Sequence, residues 1–165
     1  MTEEKTDPQV QQFWRDYLET LPESMRASQG SPQAWGFGDS PEMADELGGL
    51  VVQGIKTATC SLYWEYEAGL EVLPEVGGLS IILDGRGAPL CLIETASLEF
   101  KPFNAVGAEF AYDEGEGDRS LDYWRRVHWE VFSKECVSLG KEPTENMSLL
   151  CEKFRVLFPE IKKSG

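Results

Sequence analysis

The sequence predicts an α+β domain built round a small, mostly antiparallel β-sheet. Apolar residues recur at helical spacing in residues 8–21 and 41–53, early in the chain. Runs rich in β-forming residues follow at 79–83 and 90–96, and an alternating run occupies 149–158. Because helices come first and strands are interspersed later, the chain fits an α+β arrangement better than a regular alternation of strand and helix.

Both early helices carry a start signal. Asp7-Pro8 and Ser40-Pro41-Glu42 each combine a capping side chain with proline at the first helical position. The first helix is expected to end before Pro22 and the second at Gly54. Residues 24–37 contain glycine, serine and proline and are predicted to form a connecting loop.

The later elements follow from turn and periodicity signals. Residues 58–67 fit a short helix, although their aromatic content leaves a strand open. Asp84-Gly85-Arg86-Gly87 is predicted to form a hairpin loop between two strands, and a further strand is expected through Glu99. Ser120 begins a long amphipathic helix, and Pro159 closes the last strand.

Composition narrows the functional classes. The 165-residue chain has a formal net charge of -14, which disfavours non-specific binding to long nucleic acid and favours a small or short ligand. No apolar run is long enough to span a bilayer, and the polar N-terminus lacks the pattern of a secretory signal. We therefore expect no membrane association and a cytoplasmic location.

Metal-ligating and nucleophilic patterns are weak. The four cysteines lie far apart without a C-x-x-C pair, and His128, the single histidine, cannot complete a common zinc set. His128 shares an apolar helical stripe and is expected to be a packed, hydrogen-bonded core residue. The acidic run 113–118 lacks the spacing of a calcium loop and is expected to be solvated. No metal site is predicted.

The segment Gly54-Ile55-Lys56-Thr57-Ala58-Thr59 is the strongest candidate for chemistry. Lys56 has apolar neighbours on both sides, so desolvation could make it a proton acceptor beside the threonine hydroxyls. The alternative is a solvated lysine next to a helix cap. Glu94 is the only carboxylate in an otherwise apolar strand and needs a partner. Lys56 is the attractive partner, for acid–base chemistry or as a structural ion pair.

Five segments in a fixed order resemble the ASCH domain family, in the bacterial subgroup with extra N-terminal helices. They are Trp35-Gly36-Phe37-Gly38-Asp39, the Lys56 segment, Glu94 on a strand, Gly117-Asp118-Arg119-Ser120-Leu121, and Trp124-Arg125 with His128-Trp129. The resemblance runs from about residue 35 to 158 and implies a small PUA-like β-barrel with flanking helices. It divides the chain into an N-terminal helical extension (1–34), an ASCH domain (35–159) and a tail (160–165).

The resemblance also implies function. Family members handle RNA or nucleosides, and one branch hydrolyses acylated cytidine with the motif lysine as base, the second threonine as nucleophile and a strand glutamate completing the set. The matching catalytic residues here are Lys56, Thr59 and Glu94, with no cofactor required. The expected partner is a nucleoside-like ligand or short RNA, for which the candidate contacts are Phe37, Thr57, Tyr63, Arg119 and Arg125. A non-catalytic RNA-binding module and a metal-dependent ribonuclease are the alternatives.

Overall fold

The structure is a computed structural model that describes residues 7–160, and it has an α+β fold. In this part of the chain there are six α-helices, five strands and one short 3₁₀ turn. The helices are α1 (Pro8–Glu19), α2 (Glu23–Arg26), α3 (Pro41–Val52), α4 (Tyr63–Glu67), α5 (Ala108–Glu114) and α6 (Leu121–Ser138); the strands are β1 (Gln33–Trp35), β2 (Ala58–Leu62), β3 (Leu79–Leu83), β4 (Pro89–Pro102) and β5 (Ser148–Phe158).

The five strands form one mixed sheet in the order β1-β3-β4-β5-β2. β1 pairs with β3 in parallel, whereas β3 pairs with β4 and β2 pairs with β5 in antiparallel fashion. The predicted α+β class with a mostly antiparallel sheet is therefore confirmed. The register that matters for the site is in the β2–β5 pair, where Thr59 lies opposite Glu152 and Cys60 opposite Cys151.

The chain divides into two compact units. Among the described residues, the first comprises 7–53, Gly78–Glu94 and 156–160. Its core joins buried residues of α1 to buried residues of β3 and β4, and aromatic rings of α1 pack on Phe158. The buried members are Val10, Tyr17, Ile81 and Leu92.

The second unit comprises Gly54–Gly77 and Thr95–Arg155. It is built round the ring of Phe103, which contacts Trp124 at 5.4 Å, Trp129 at 5.5 Å and Phe132 at 6.4 Å between centroids. Since aromatic side chains bury large apolar areas, this cluster supplies much of the burial that holds α6 in place. All the residues of the candidate site described below belong to this unit.

The capping signals in the sequence form as predicted. The Asp7 side chain accepts from the Gln9 amide at 2.7 Å at the start of α1. At the start of α3 and α6, the N-cap serine hydroxyls each accept a backbone N–H at 3.1 Å. These bonds satisfy amide groups that the first helical turn leaves without partners.

Three local predictions need correction. Residues 24–37, predicted to be a loop, contain the end of α2 and the edge strand β1. Residues 58–67 are neither one helix nor one strand, because β2 turns directly into α4. The short helix α5 was not predicted, since its seven residues carry no capping side chain. Among the described helices, none combines the length and the apolar character needed to cross a membrane.

Candidate functional site

Lys56 lies in the connection between α3 and β2, and its side chain is buried. Only 2% of the side chain is exposed. Its Nζ donates to the backbone oxygens of Ala58 at 2.9 Å and Glu114 at 3.3 Å, and it contacts Oε1 of Glu114 at 3.4 Å. The alternative of a solvated surface lysine is therefore wrong.

A glycine allows the end of α5 to reach this lysine. Gly115 ends α5 with φ +74°, and a Cβ added there would lie 2.7 Å from the carbonyl oxygen of Ile55 and 3.0 Å from Cα of Lys56. Only a residue without a side chain permits this close approach in the left-handed conformation. The backbone N–H of Thr57 then donates to the Asp113 carbonyl at 2.8 Å, which ties the two segments together.

Glu114 is the centre of the site. Its side chain is as buried as that of Lys56, at 2% exposed. The indole N–H of Trp124 donates to its Oε2, and Nε2 of His128 lies 3.1 Å from the same oxygen. The Cys60 thiol on β2 also points at Oε2, at 3.6 Å.

Glu116 completes the arrangement. Its Oε2 lies 3.6 Å from Nζ of Lys56 and 3.7 Å from Nε2 of His128. Within the described residues, no donor meets hydrogen-bond geometry at this buried oxygen. We call Lys56, Cys60, Glu114, Glu116 and His128 the Lys56 cluster.

The charges of the cluster are coupled. Burial alone would raise the pKa of Glu114, but attraction to Lys56 and then to His128 outweighs it and lowers the pKa to about 2. Burial opposes the charged form of His128, yet Glu114 raises its pKa overall. Burial raises the pKa of Glu116 against the opposing attraction of Lys56. The pKa of the Cys60 thiol is raised well above its usual value, first by burial and then by Glu114.

Burying the Lys56 cluster costs folding free energy. Bringing two carboxylates and two cationic side chains out of water carries a desolvation penalty that their mutual attraction offsets only in part. Groups with strongly shifted pKa values collect at functional sites, because there the chemistry requires them. The Lys56 cluster is thus the candidate functional site of this protein.

Comparison with known proteins identifies the family. The family model described as "ASCH domain" matches residues 33–158, the greater part of the chain. The chain belongs to the ASCH domain family. An ASCH domain is a PUA-like fold of the RNA-binding kind. A search of curated proteins finds no match.

Solved structures agree with this assignment. The ASCH domain from Lactobacillus crispatus JV V101 is 34% identical, with a TM-score of 0.87 over 94% of this chain and 98% of that chain. Protein EF3133 from Enterococcus faecalis V583 is 38% identical, with a TM-score of 0.79 over 90% and 88%. Hypothetical protein PH0355 is 13% identical, with a TM-score of 0.52 over 77% and 100%, and shares the fold alone.

The three catalytic residues expected from the sequence fall at different places in this ASCH domain. Lys56 is in the cluster. Thr59 is half-buried on β2, and because side chains alternate along a strand it lies on the face opposite Cys60, toward its register partner Glu152. Glu94 is half-buried in the first unit, where its charge raises the pKa of Tyr17 after the larger effect of burial. The partner carboxylate found for Lys56 within the second unit is Glu114.

The five expected ligand contacts are also dispersed. Thr57 is exposed and donates through its hydroxyl to the Asp113 carbonyl at 3.3 Å, and Arg125 is exposed on α6. Arg119 is engaged within the protein, since it donates to backbone carbonyls and its guanidinium lies 3.5 Å from a tyrosine ring centroid. The Tyr63 ring packs edge-on against a phenylalanine. Phe37 is buried in the first unit.

Sequence reasoning missed Glu114 and Glu116 because they stand in an acidic run that looks solvated. The expectation of a solvated segment is wrong for both. A signal was present: Phe110 and Glu114 are four residues apart and share one face of α5, the face that carries buried residues. His128 was expected to be packed and hydrogen-bonded, and it is, but its partner is a carboxylate of the site.

Proposed function

We propose that this ASCH domain binds a nucleoside or a nucleotide of short RNA and hydrolyses an amide on an acylated or otherwise modified base. The Lys56 cluster is its catalytic centre in this proposal. The observation that carries it is the buried Lys56 amine, held 3.4 Å from one carboxylate and 3.6 Å from a second. The family's association with RNA supplies the class of ligand.

The cluster supports chemistry more than stability. Well-packed apolar residues would hold α5 and α6 together without a desolvation penalty. Amide hydrolysis, by contrast, needs a group that accepts a proton from the nucleophile and a group that gives one to the leaving amine. Two carboxylates lie 3.1–3.7 Å from an amine and an imidazole, so small shifts of these side chains allow a proton to pass in either direction.

In the proposed hydrolysis water attacks the acyl carbon, its proton passes to Lys56, and the C–N bond of the amide breaks. Water is the nucleophile because Thr59 lies on the face of β2 opposite the cluster. Lys56 accepts that proton only after giving one to a neighbour, and Oε2 of Glu116 is 3.6 Å from its Nζ. The proton held by Glu116 then passes to the leaving amine. The carboxylic acid and the free amine then leave, and Glu114 holds Lys56 in position throughout.

Release of free nucleoside from acylated cytidine tests this proposal. We expect Lys56→Arg to lower kcat at least about 100-fold, because it keeps the charge but removes the proton acceptor. Thr59→Val should keep most of the turnover, since Thr59 lies on the opposite face of β2. Lys134→Ala is the control, since Lys134 is exposed on α6 with 74% of its side chain accessible. Equal turnover by Lys56→Arg and the wild type would remove Lys56 from the mechanism.

A non-catalytic RNA-binding module is the second candidate, favoured by the fold. Arg125 and Arg126 are exposed on α6 and available to phosphate. Binding of short RNA that weakens with salt, with no product from either RNA or acylated nucleoside, would select this candidate. RNA cleavage that a chelator abolishes would instead select the ribonuclease.

A further inference from the structure

Three side chains of the Lys56 cluster bring different ligand atoms to one point. Sγ of Cys60, a carboxylate oxygen of Glu114 and a ring nitrogen of His128 all lie within 4.8 Å of one another. They come from β2, the end of α5 and the middle of α6, so the fold rather than a short motif assembles them. Glu114 is fully buried, and His128 exposes only 12% of its side chain.

The spacing of these atoms matches that of ligands around one small ion. Zinc bonds of about 2.3 Å to sulfur and about 2.0–2.2 Å to nitrogen and oxygen, at tetrahedral angles, place S and O about 3.6 Å apart and N and O about 3.4 Å apart. Sγ of Cys60 is 3.6 Å from Oε2 of Glu114. Nε2 of His128 is 3.1 Å from the same oxygen.

The groups around these side chains resemble the outer shell of a metal site. Nδ1 of His128 donates to the Trp124 carbonyl at 2.9 Å, which leaves Nε2 as the ring atom directed at Glu114. The Trp124 indole and the Lys56 amine bind the Glu114 carboxylate as well. Metal-binding histidines and carboxylates are usually oriented by hydrogen bonds of this kind.

We propose that Cys60, Glu114 and His128 bind a zinc-type divalent cation, with Glu116 as the fourth ligand. Oε2 of Glu116 is 3.7 Å from Nε2 of His128, and no described donor satisfies it. A cation at this point would therefore give this buried oxygen a closer partner than the Lys56 amine, which lies 3.6 Å away. The sequence predicted no zinc set because the four cysteines lie far apart and the chain has one histidine. Two of the four proposed ligands come from the acidic run, which was expected to be solvated.

Charge balance supports the site. M²⁺ binds the thiolate of Cys60 and the neutral imidazole of His128, so protons are released on binding. The thiolate and the two carboxylates carry three negative charges, which balance the two charges of the ion and the one of Lys56. Lys56 keeps its contact with Oε1 of Glu114 and neutralises the remaining negative charge.

The ligand types select the metal. Thiolate and imidazole suit zinc and cobalt, whereas magnesium and calcium prefer an all-oxygen set. The inference does not rest on the proposed hydrolysis, because metal binding is measured on the protein without substrate. The proposed hydrolysis belongs to the metal-free protein, because Oε2 of Glu116 cannot bind the ion and take the Lys56 proton at the same time. Either proposal can fail while the other stands.

Titration with Co²⁺ tests the site. For the reduced wild-type protein we expect one Co²⁺ per chain, tetrahedral d–d bands and a thiolate-to-cobalt charge-transfer band, all displaced by Zn²⁺. Cys60→Ser should lose the charge-transfer band, and His128→Gln should weaken Co²⁺ binding at least about 10-fold. Cys151→Ser is the matched control and should keep the wild-type spectrum, because Cys151 faces Cys60 across the β2–β5 pair but lies outside the cluster.

Each variant is first checked for native near-ultraviolet circular dichroism without metal, so that loss of binding is not loss of fold. Glu116→Gln provides a further variant at a partly exposed position. Absence of stoichiometric Co²⁺ binding by the wild type would overturn the proposal. So would a charge-transfer band that survives in Cys60→Ser and disappears in Cys151→Ser.

Discussion

The Lys56–Glu114 pair decides the electrostatics of the second unit. Both side chains are 98% buried, so neither charge has water to stabilise it if the other is removed. Removing one member of a buried ion pair is strongly destabilising because it leaves an uncompensated charge. Substitution of either residue is therefore expected to lower the free energy of unfolding.

Lys56→Met should destabilise the protein by about 3–5 kcal/mol, since Glu114 loses its principal counter-ion while the volume is kept. Urea unfolding at pH 7 measures the change in free energy. Lys134→Met is the control, and its exposed pair with Glu130 should contribute no more than about 0.5 kcal/mol. Similar losses in the two variants would show that the buried pair does not carry the stability assigned to it.

Glu135 on α6 is a second titratable residue in a special environment. Burial, and after it the charge of Glu65, raises the pKa of Glu135 to about 7. The folded protein thus binds this proton more tightly than the unfolded chain does. The stability from this group is fully present below the usual carboxyl pKa and is lost as pH rises through about 7.

Glu135→Gln should remove this pH dependence. At pH 8 the variant should be more stable than the wild type by about 1 kcal/mol, a figure reduced because solvent screens a partly exposed carboxyl. At pH 5 the two proteins should differ little. Urea midpoints at the two pH values provide the measurement, with Glu130→Gln on the exposed side of α6 as control. A parallel pH dependence in wild type and Glu135→Gln would contradict the assignment.

At the scale of elements, the C-terminus of α5 is placed by backbone contact. Gly115 lets the Glu114 backbone come within hydrogen-bond distance of Lys56, at 3.3 Å. α6 then presents Trp124 and His128 one turn apart, with their rings stacked at 4.4 Å. The geometry of the site therefore depends on how α5 and α6 pack against the connection between α3 and β2.

Two glycines with the same φ provide a test of how closely α5 must approach this connection. Gly115 and Gly69 both have φ +74°, but an added Cβ meets the Ile55 backbone only at Gly115 and nothing within 4 Å at Gly69. Gly69→Ala should cost about 1–2 kcal/mol for the left-handed conformation. Gly115→Ala should cost at least about 1 kcal/mol more, because the backbone must also move. Equal losses in urea unfolding would mean that the close approach is not required.

At the scale of the whole molecule, charge separates the two ligand classes. There are 29 acidic residues against 15 basic ones, so a long polyanion meets repulsion over most of the surface. An uncharged nucleoside does not release counterions and is insensitive to this charge. The salt dependence of the binding affinity therefore distinguishes a nucleoside ligand from a long RNA.

Nucleoside binding should change less than about twofold between about 50 mM and about 200 mM salt, whereas residual binding to long RNA should fall steeply over this range. Calorimetric titration of both ligands at the two salt concentrations measures this. An unmodified single-stranded RNA of mixed sequence serves as the long ligand. Tight binding of that RNA at the higher salt concentration would contradict the argument from net charge.

Local signals predicted much of the architecture. The caps at Asp7, Ser40 and Ser120 act over two or three residues, so they are visible in the sequence and they form as expected. α5 was missed because no side chain caps it, and β1 because a three-residue edge strand depends on its partner more than on its own residues. The sequence indicated that Lys56 is a functional candidate and suggested Glu94, on a strand, as its partner. In the structure the carboxylate beside Lys56 is Glu114, at the end of α5.

The sequence by itself determined the family, the fold class, most helix and strand positions, and the lysine round which the site is built. Only the tertiary structure decided which residues join that lysine. Glu114 is 58 positions away along the chain, and its contact with Lys56 arises because Gly115 permits a backbone approach that no local pattern encodes. Propensity and capping act between neighbours in sequence, whereas the pairing of buried charges is settled by packing between distant segments.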